Sequence, residues 1–146
     1  MFYPFGGALT DGTYELLPIG RVESPLVDPA TAPQQGDEGS PEAWLVFDNA
    51  VREGLGDLQV GSEIVVLTWL DRARRDVLRV HPRDDPANPE QGVFSTRSPH
   101  RPNPLGLHRV TIVSIEGARI LVRNLEALNA TPIVDVKPVL DCTLDR

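Results

Sequence analysis

Cysteine is almost missing from this chain. Cys142 is the only one in 146 residues, so no internal disulfide can form and no cysteine zinc cluster exists. A single thiol near the C-terminal end reads as an ordinary side chain rather than a nucleophile. Histidine is scarce too, and His81, His100 and His108 are too scattered to suggest a metal site. No apolar run approaches the roughly 20 residues that a membrane-spanning helix needs. The opening run MFYPFGGALTDGTYELL has neither the basic start nor the apolar middle of a secretory leader, so a cytoplasmic protein is expected. There is no strand, glycine-rich turn and helix in succession, which argues against a Rossmann-type nucleotide site. An excess of basic charge is also lacking: the formal net charge is -7 and the pI about 4.9. Binding to nucleic acid through phosphates would therefore require the arginines to cluster locally.

Turn formers are plentiful, with 14 prolines and 12 glycines, and they leave little room for long helices. Short strands are expected over 17–24, 42–47, 62–70 and 76–82. Asp48 is expected to cap a short helix over 49–58, its carboxylate accepting amides of the first turn. The run 108–128 reads as a hairpin turning at Glu116-Gly117-Ala118, with Val110 and Ile112 on one face and Thr111, Val113 and Ile115 on the other. The last strand is expected within 131–140. Apolar residues on both faces imply a closed or covered sheet. The expected fold class is mainly β: a small single-domain β-barrel with one or two short helices. The stretch 26–41 is a long loop, mobile or functional.

One segment stands apart. GVFSTRSPHRPNPLGL, residues 92–107, holds three prolines, two arginines and three hydroxyl residues, and no acid. Each proline fixes its own φ and holds the preceding residue extended, so Ser98, Arg101 and Asn103 have nearly pre-set backbones. Arg97 and Arg101 carry planar donors suited to carboxylates, phosphates or ring edges. Such a segment is either a rigid crossover whose arginines satisfy nearby carbonyls, or a ligand site. The hydroxyls gathered with guanidiniums favour a ligand bearing a carboxylate or a nucleoside. The second arginine group, Arg72, Arg74, Arg75 and Arg79, reads as a solvated strand end or turn.

The same segment resembles the signature of the TsaA-like family, the TrmO group of S-adenosylmethionine-dependent methyltransferases, approximately G-V-F-A-T-R-S-P-x-R-P-N-P-I-G-L. Two further blocks agree in order: IGRVESPL (19–26) resembles I-G-x-I-x-S-P-F, and LNATPIVDVKP (128–138) resembles L-D-G-T-P-V-L-D-I-K-P. The resemblance implies a domain over 15–146 after a short extension, 1–14. It also implies a β-barrel, usually dimeric, that binds S-adenosyl-L-methionine near the subunit interface. The activity implied is methylation of N6 of threonylcarbamoyladenosine at position 37 of tRNA, so tRNA becomes the expected partner.

By the same resemblance, Arg97 matches a cofactor-contacting arginine and Leu105 a contact around the adenosine. Leu128, Asn129, Ala130 and Thr131 fall on the family's cofactor loop. Gln35 and Gly36 match a Q-P-G-like element loosely, and Trp69 and Leu70 fall near a strand end that approaches the cofactor. Asn129-Ala130 replaces the family's Asp-Gly, which removes a charge and restricts a backbone that glycine leaves free. The acidic pI and this change keep a second expectation open, a small-molecule methyl acceptor, and a third, a non-catalytic cofactor-binding module. A carbamoyl-adenine N6 is a poor nucleophile while protonated, so a base would help. Asp135 and Lys137, two apart on one strand face, are either that base and its partner or a structural ion pair. His100, Arg101 and Asn103 are candidate substrate contacts. His108, at the start of a strand, reads as a hydrogen-bonded structural histidine.

Overall fold

The computed structural model describes residues 12–30, 32–33 and 39–140. Six strands close a barrel: β1 (Gly20–Glu23), β2 (Ala43–Phe47), β3 (Glu63–Trp69), β6 (Leu105–Glu116), β7 (Arg119–Arg123) and β8 (Pro132–Pro138), in the order β1-β2-β7-β6-β3-β8. Every neighbouring pair is antiparallel. Two short strands, β4 (Arg79–Val80) and β5 (Gln91–Gly92), form a separate ribbon.

Period-two alternation explains the closure. Ile64, Val66 and Thr68 of β3 and His108, Val110 and Ile112 of β6 point inwards and are buried. Leu45, Ile120, Val122, Leu125 and Ile133 complete a core with almost no exposed surface. Each such side chain contributes roughly 1.5–3 kcal/mol by leaving water. Bulges at Val134, facing Leu67/Thr68, and at Val113 shift the register and let a short sheet curve round on itself. At the β1–β2 contact the backbones approach so closely that a Cβ on Gly20 would lie 2.5 Å from the Val46 carbonyl oxygen. On the outer wall Arg119 stacks on Trp44, 5.0 Å from the ring centre, and pairs with Glu23 at 3.0 Å, clasping β1, β2 and β7.

The expected barrel and hairpin are present, with the turn at Gly117 in the left-handed region (φ 65°). Two expectations are corrected. The segment after β2 is a 3₁₀ helix, Asn49–Leu55, and ends three residues early. Asp48 makes no side-chain cap; its backbone carbonyl accepts from the Val51 amide at 3.1 Å. Gly54 and Gly56 weaken any longer helix here. The expected strand over 76–82 shrinks to two residues, because among the described residues it pairs only with the short run Gln91–Gly92. Among the described residues no helix is long and apolar enough to cross a membrane.

Candidate functional site

One rim of the barrel collects nearly all the candidate residues. β1 ends there at Glu23, β3 ends at Trp69, β6 begins at Leu105 and β8 begins at Pro132, with Trp69 paired to Leu105 and Arg21 to Pro132. The connections leaving this rim are tied to one another. The Leu70 amide donates to the Pro104 carbonyl (2.8 Å), the Arg101 amide to the Arg74 carbonyl (3.1 Å) and the Asn129 amide to the Leu26 carbonyl (2.7 Å). Arg72 donates to the Val27 carbonyl at 3.2 Å. Gln35 and Gly36, which belong to the loop between β1 and β2, lie outside the described residues.

The proline-arginine segment spends most of its polar groups on itself. Thr96 Oγ1 donates to the Val93 carbonyl (2.9 Å) and accepts from the Ser98 amide (3.2 Å). Ser98 Oγ accepts from the His100 amide (3.3 Å). The half-buried Arg101 guanidinium donates to the Thr96 carbonyl at 2.9 Å and to the Val93 carbonyl. His100 Nδ1 accepts from the Arg74 amide (3.0 Å), and Asn103 Oδ1 accepts from Arg75 (2.9 Å). Arg75 also donates to the Pro102 carbonyl at 2.6 Å and lies over Trp69, 5.1 Å from the ring centre. Arg101, His100 and Asn103 thus shape the loop through these contacts. Arg74 pairs with Asp76 and Arg79 with Glu90, each at 3.0 Å on the exposed surface. Asp76's carboxyl is lowered by the hydrogen bond from Arg74. Among the described residues Arg97 is the one arginine from 72 to 101 without a hydrogen bond, ion pair or ring contact, and it is exposed. Its planar donors are available to a ligand.

The loop 128–131 is held just as firmly. Asn129 Oδ1 accepts from the Ser24 amide (3.1 Å), and Thr131 Oγ1 donates to the Leu128 carbonyl (2.7 Å). A carboxylate could accept the Ser24 bond equally well, so asparagine preserves this anchor while removing the charge. Ala130 sits at φ 71°, the left-handed region that suits glycine, and its amide donates to the Val22 carbonyl at 2.7 Å. The loop keeps a glycine conformation without a glycine. Leu105 (43 % exposed) and Leu107 (50 %) face outwards beside the half-buried Trp69 and Leu67. Leu70 is half-buried at the same rim.

Asp135 and Lys137 are not gathered with this group. They lie further along β8, opposite Leu67 and Val65, on one outward face as the spacing predicts, and pair with each other at 3.1 Å. Asp135 lines a small groove of about 170 Å³ with Val51, Leu55 and Val136, towards the other rim. His81 Nδ1 lies 2.9 Å from the Asn88 carbonyl oxygen, away from the other histidines, and no metal-ligating cluster occurs among the described residues.

His108 is hydrogen-bonded through both ring nitrogens as expected, but its partners, Thr68 and Glu126, were not foreseen. Below the rim, Thr68 Oγ1 is 2.7 Å from His108 Nε2, and His108 Nδ1 is 2.6 Å from Glu126 Oε1. Their separations in sequence are 40 and 18 residues. The only local sign is an inward-facing histidine in a strand of valines and isoleucines.

The described residues thus form a small closed barrel with cross-tied loops at one rim and an available guanidinium on Arg97. The chain belongs to the tRNA-methyltransferase O N-terminal domain family, whose model matches residues 21–144. It is 42 % identical over 130 residues to an S-adenosyl-L-methionine-binding protein of Archaeoglobus fulgidus, covering 87 % of this chain and 92 % of that one. A probable S-adenosyl-L-methionine-binding protein from the same organism is 40 % identical over 124 residues, which cover 85 % of this chain and 33 % of that longer protein. The crystal structure of TrmO from Pseudomonas aeruginosa superposes with a TM-score of 0.71 at 26 % identity, covering 92 % of this chain and 57 % of that one. The chain thus spans about a third of one of these proteins and little more than half of another.

Proposed function

We propose that this protein is an S-adenosyl-L-methionine-dependent N-methyltransferase of the TrmO type. In this proposal it methylates N6 of threonylcarbamoyladenosine at position 37 of tRNA. The observation that carries the reading is the unpartnered Arg97 on the rim that also holds the left-handed, cross-tied loop 128–131. The Archaeoglobus relative's name as an S-adenosyl-L-methionine-binding protein supports the cofactor. Arg97 would hold the ligand's carboxylate, while Trp69, Leu70 and Leu105 would offer apolar surface to its adenosine. Asn129, Ala130 and Thr131, with Leu128, would cradle the remainder, and Gln35 and Gly36 belong to the same proposal. When bound, the cofactor supplies an electrophilic methyl group, and the residues around it supply orientation, worth several kcal/mol of barrier. The acceptor nitrogen must lose a proton. Asp135 and Lys137 lie apart from Arg97 and the loop 128–131 within one protomer, so they are offered for that step only where the acceptor reaches their face of β8, and an active Asp135→Asn variant would remove Asp135 from it.

The test is transfer of labelled methyl from S-adenosyl-L-methionine to tRNA carrying threonylcarbamoyladenosine, followed by digestion and separation of the nucleosides. Label in the methylated nucleoside is the expected result. Bound cofactor without labelled tRNA would overturn the tRNA assignment.

A second reading, a small-molecule acceptor, is favoured by a specific observation. The arginines at 72, 74, 75, 79 and 101 are occupied by intramolecular partners, on a chain of net charge -7. Phosphate binding would require some of them to exchange partners. Binding to tRNA that weakens steeply with salt would decide for the first reading, and its absence for the second. We also propose a cytoplasmic homodimer, with the exposed Leu105 and Leu107 on its buried face; light scattering at working concentration tests it.

A further inference from the structure

Among the described residues the barrel core is mostly hydrocarbon, and two of its three buried polar side chains meet in one place. Thr68 (fully buried) and His108 (4 % exposed) sit among valines and isoleucines, and Glu126 reaches them from the connection between β7 and the loop 128–131. With the ring proton on Nδ1, the imidazole donates to the Glu126 carboxylate and accepts from the Thr68 hydroxyl. Both ring nitrogens and the Thr68 hydroxyl then have a partner. Gly106 lies over the junction: a Cβ there would be 2.6 Å from His108 Nε2 and closer still to Thr68 Oγ1. The order threonine, histidine, glutamate matches that of a nucleophilic triad, but the sealed hydroxyl cannot meet a substrate.

What the array does present is a carboxylate. Among the described residues Glu126 has one partner, His108, and its side chain is 20 % exposed, so the carboxylate reaches solvent. Leu125 and Ala127 on either side are buried, which leaves the glutamate little freedom. Packed apolar residues of similar volume would serve stability as well as such an array, so its chemistry points to another use. Two residues beyond Glu126 the loop 128–131 begins, where Asn129 brings no charge.

We propose that Glu126 is the anionic contact for the sulfonium of S-adenosyl-L-methionine, with His108 and Thr68 as positioning residues that fix its carboxylate. This rests on the cofactor reading given above. A carboxylate beside the sulfonium favours the charged cofactor over S-adenosylhomocysteine, whose sulfur is neutral although its ammonium and carboxylate remain.

The test is calorimetric binding of both compounds to the wild type and to the Glu126→Gln and Thr68→Val variants. Glu126→Gln keeps the size and an acceptor for His108, and thermal melting verifies its fold. It should weaken S-adenosyl-L-methionine about tenfold, the scale of one screened charge contact, and S-adenosylhomocysteine less than about twofold. Thr68→Val should move the ratio of the two affinities in the same direction by a smaller factor. A merely structural role would lower both alike and leave the ratio unchanged, and that result would overturn the proposal. Equal, undiminished binding of both compounds to Glu126→Gln would overturn it too. If the wild type binds neither compound, the cofactor reading itself fails, and this assignment fails with it.

Discussion

Gly106→Ala adds one methyl group at the most confined polar position of the barrel. The new Cβ would stand 2.6 Å from His108 Nε2 and nearer to Thr68 Oγ1, where ordinary contact begins at 3.4 Å. Neither neighbour has room to retreat, since Thr68 is fully buried and His108 nearly so. Relief requires breaking the 2.7 Å bond between them. Overpacking of this kind costs about 1–3 kcal/mol. A buried hydroxyl or ring nitrogen left without a partner adds about 1–3 kcal/mol. Removing a glycine from a strand returns about 0.5–1 kcal/mol through the unfolded chain. The net expectation is a destabilisation of about 1–5 kcal/mol. At roughly 3 °C per kcal/mol for a chain of this length, Tm should fall by about 3–15 °C. Urea unfolding followed by tryptophan fluorescence measures it. A stability within about 0.5 kcal/mol of the wild type would refute the reasoning. The double variant Gly106→Ala/Thr68→Ala removes one of the clashing atoms and should lose less than the sum of its two single changes.

Ala130→Gly should stabilise the protein by about 0.5–1 kcal/mol, because the strain of an L-residue at positive φ outweighs the extra entropy of the unfolded glycine; calorimetric Tm checks this. Arg97→Ala should leave Tm unchanged within about 1 °C, as the side chain has no partner to lose, yet abolish measurable cofactor binding if the proposed function holds. Arg101→Ala should do the opposite in its first effect, costing about 1–3 kcal/mol through the Thr96 carbonyl left unpaired, while the Val93 carbonyl keeps its bonds from Thr96; equal melting temperatures for the two variants would contradict the hydrogen-bond assignments. The Glu63 carboxyl lies below its ordinary value of 4.5, chiefly through the hydrogen bond from Arg109. A lowered carboxyl contributes stability above its unfolded value, and the contribution is lost as pH falls through the folded one. Arg109→Gln should move the Glu63 titration back up, as read by carboxyl carbon NMR.

The barrel was legible because period-two alternation is local. Ala43–Phe47, Glu63–Trp69 and the hairpin from Leu105 to Arg123 announce themselves in runs where β-branched and apolar residues face a core. The motif blocks were legible for the same reason, since prolines constrain their own neighbours. The 3₁₀ turn over 49–55 and the two-residue β4 were not, because their lengths depend on what packs beside them.

The contrast between Arg97 and Arg101 marks the boundary. The sequence by itself determined that two guanidiniums stand four residues apart in a stiff, hydroxyl-rich segment. Tertiary structure decided that Arg101 turns back onto the Val93 and Thr96 carbonyls while Arg97 stays available. In the same way Asn129 became an anchor only through Ser24, 105 residues earlier, and Glu126 became a fixed carboxylate only through His108 and Thr68. Side-chain hydrogen bonds act over about 3 Å, and which groups come that close is set by the strand register and closure of the barrel, which no local pattern encodes.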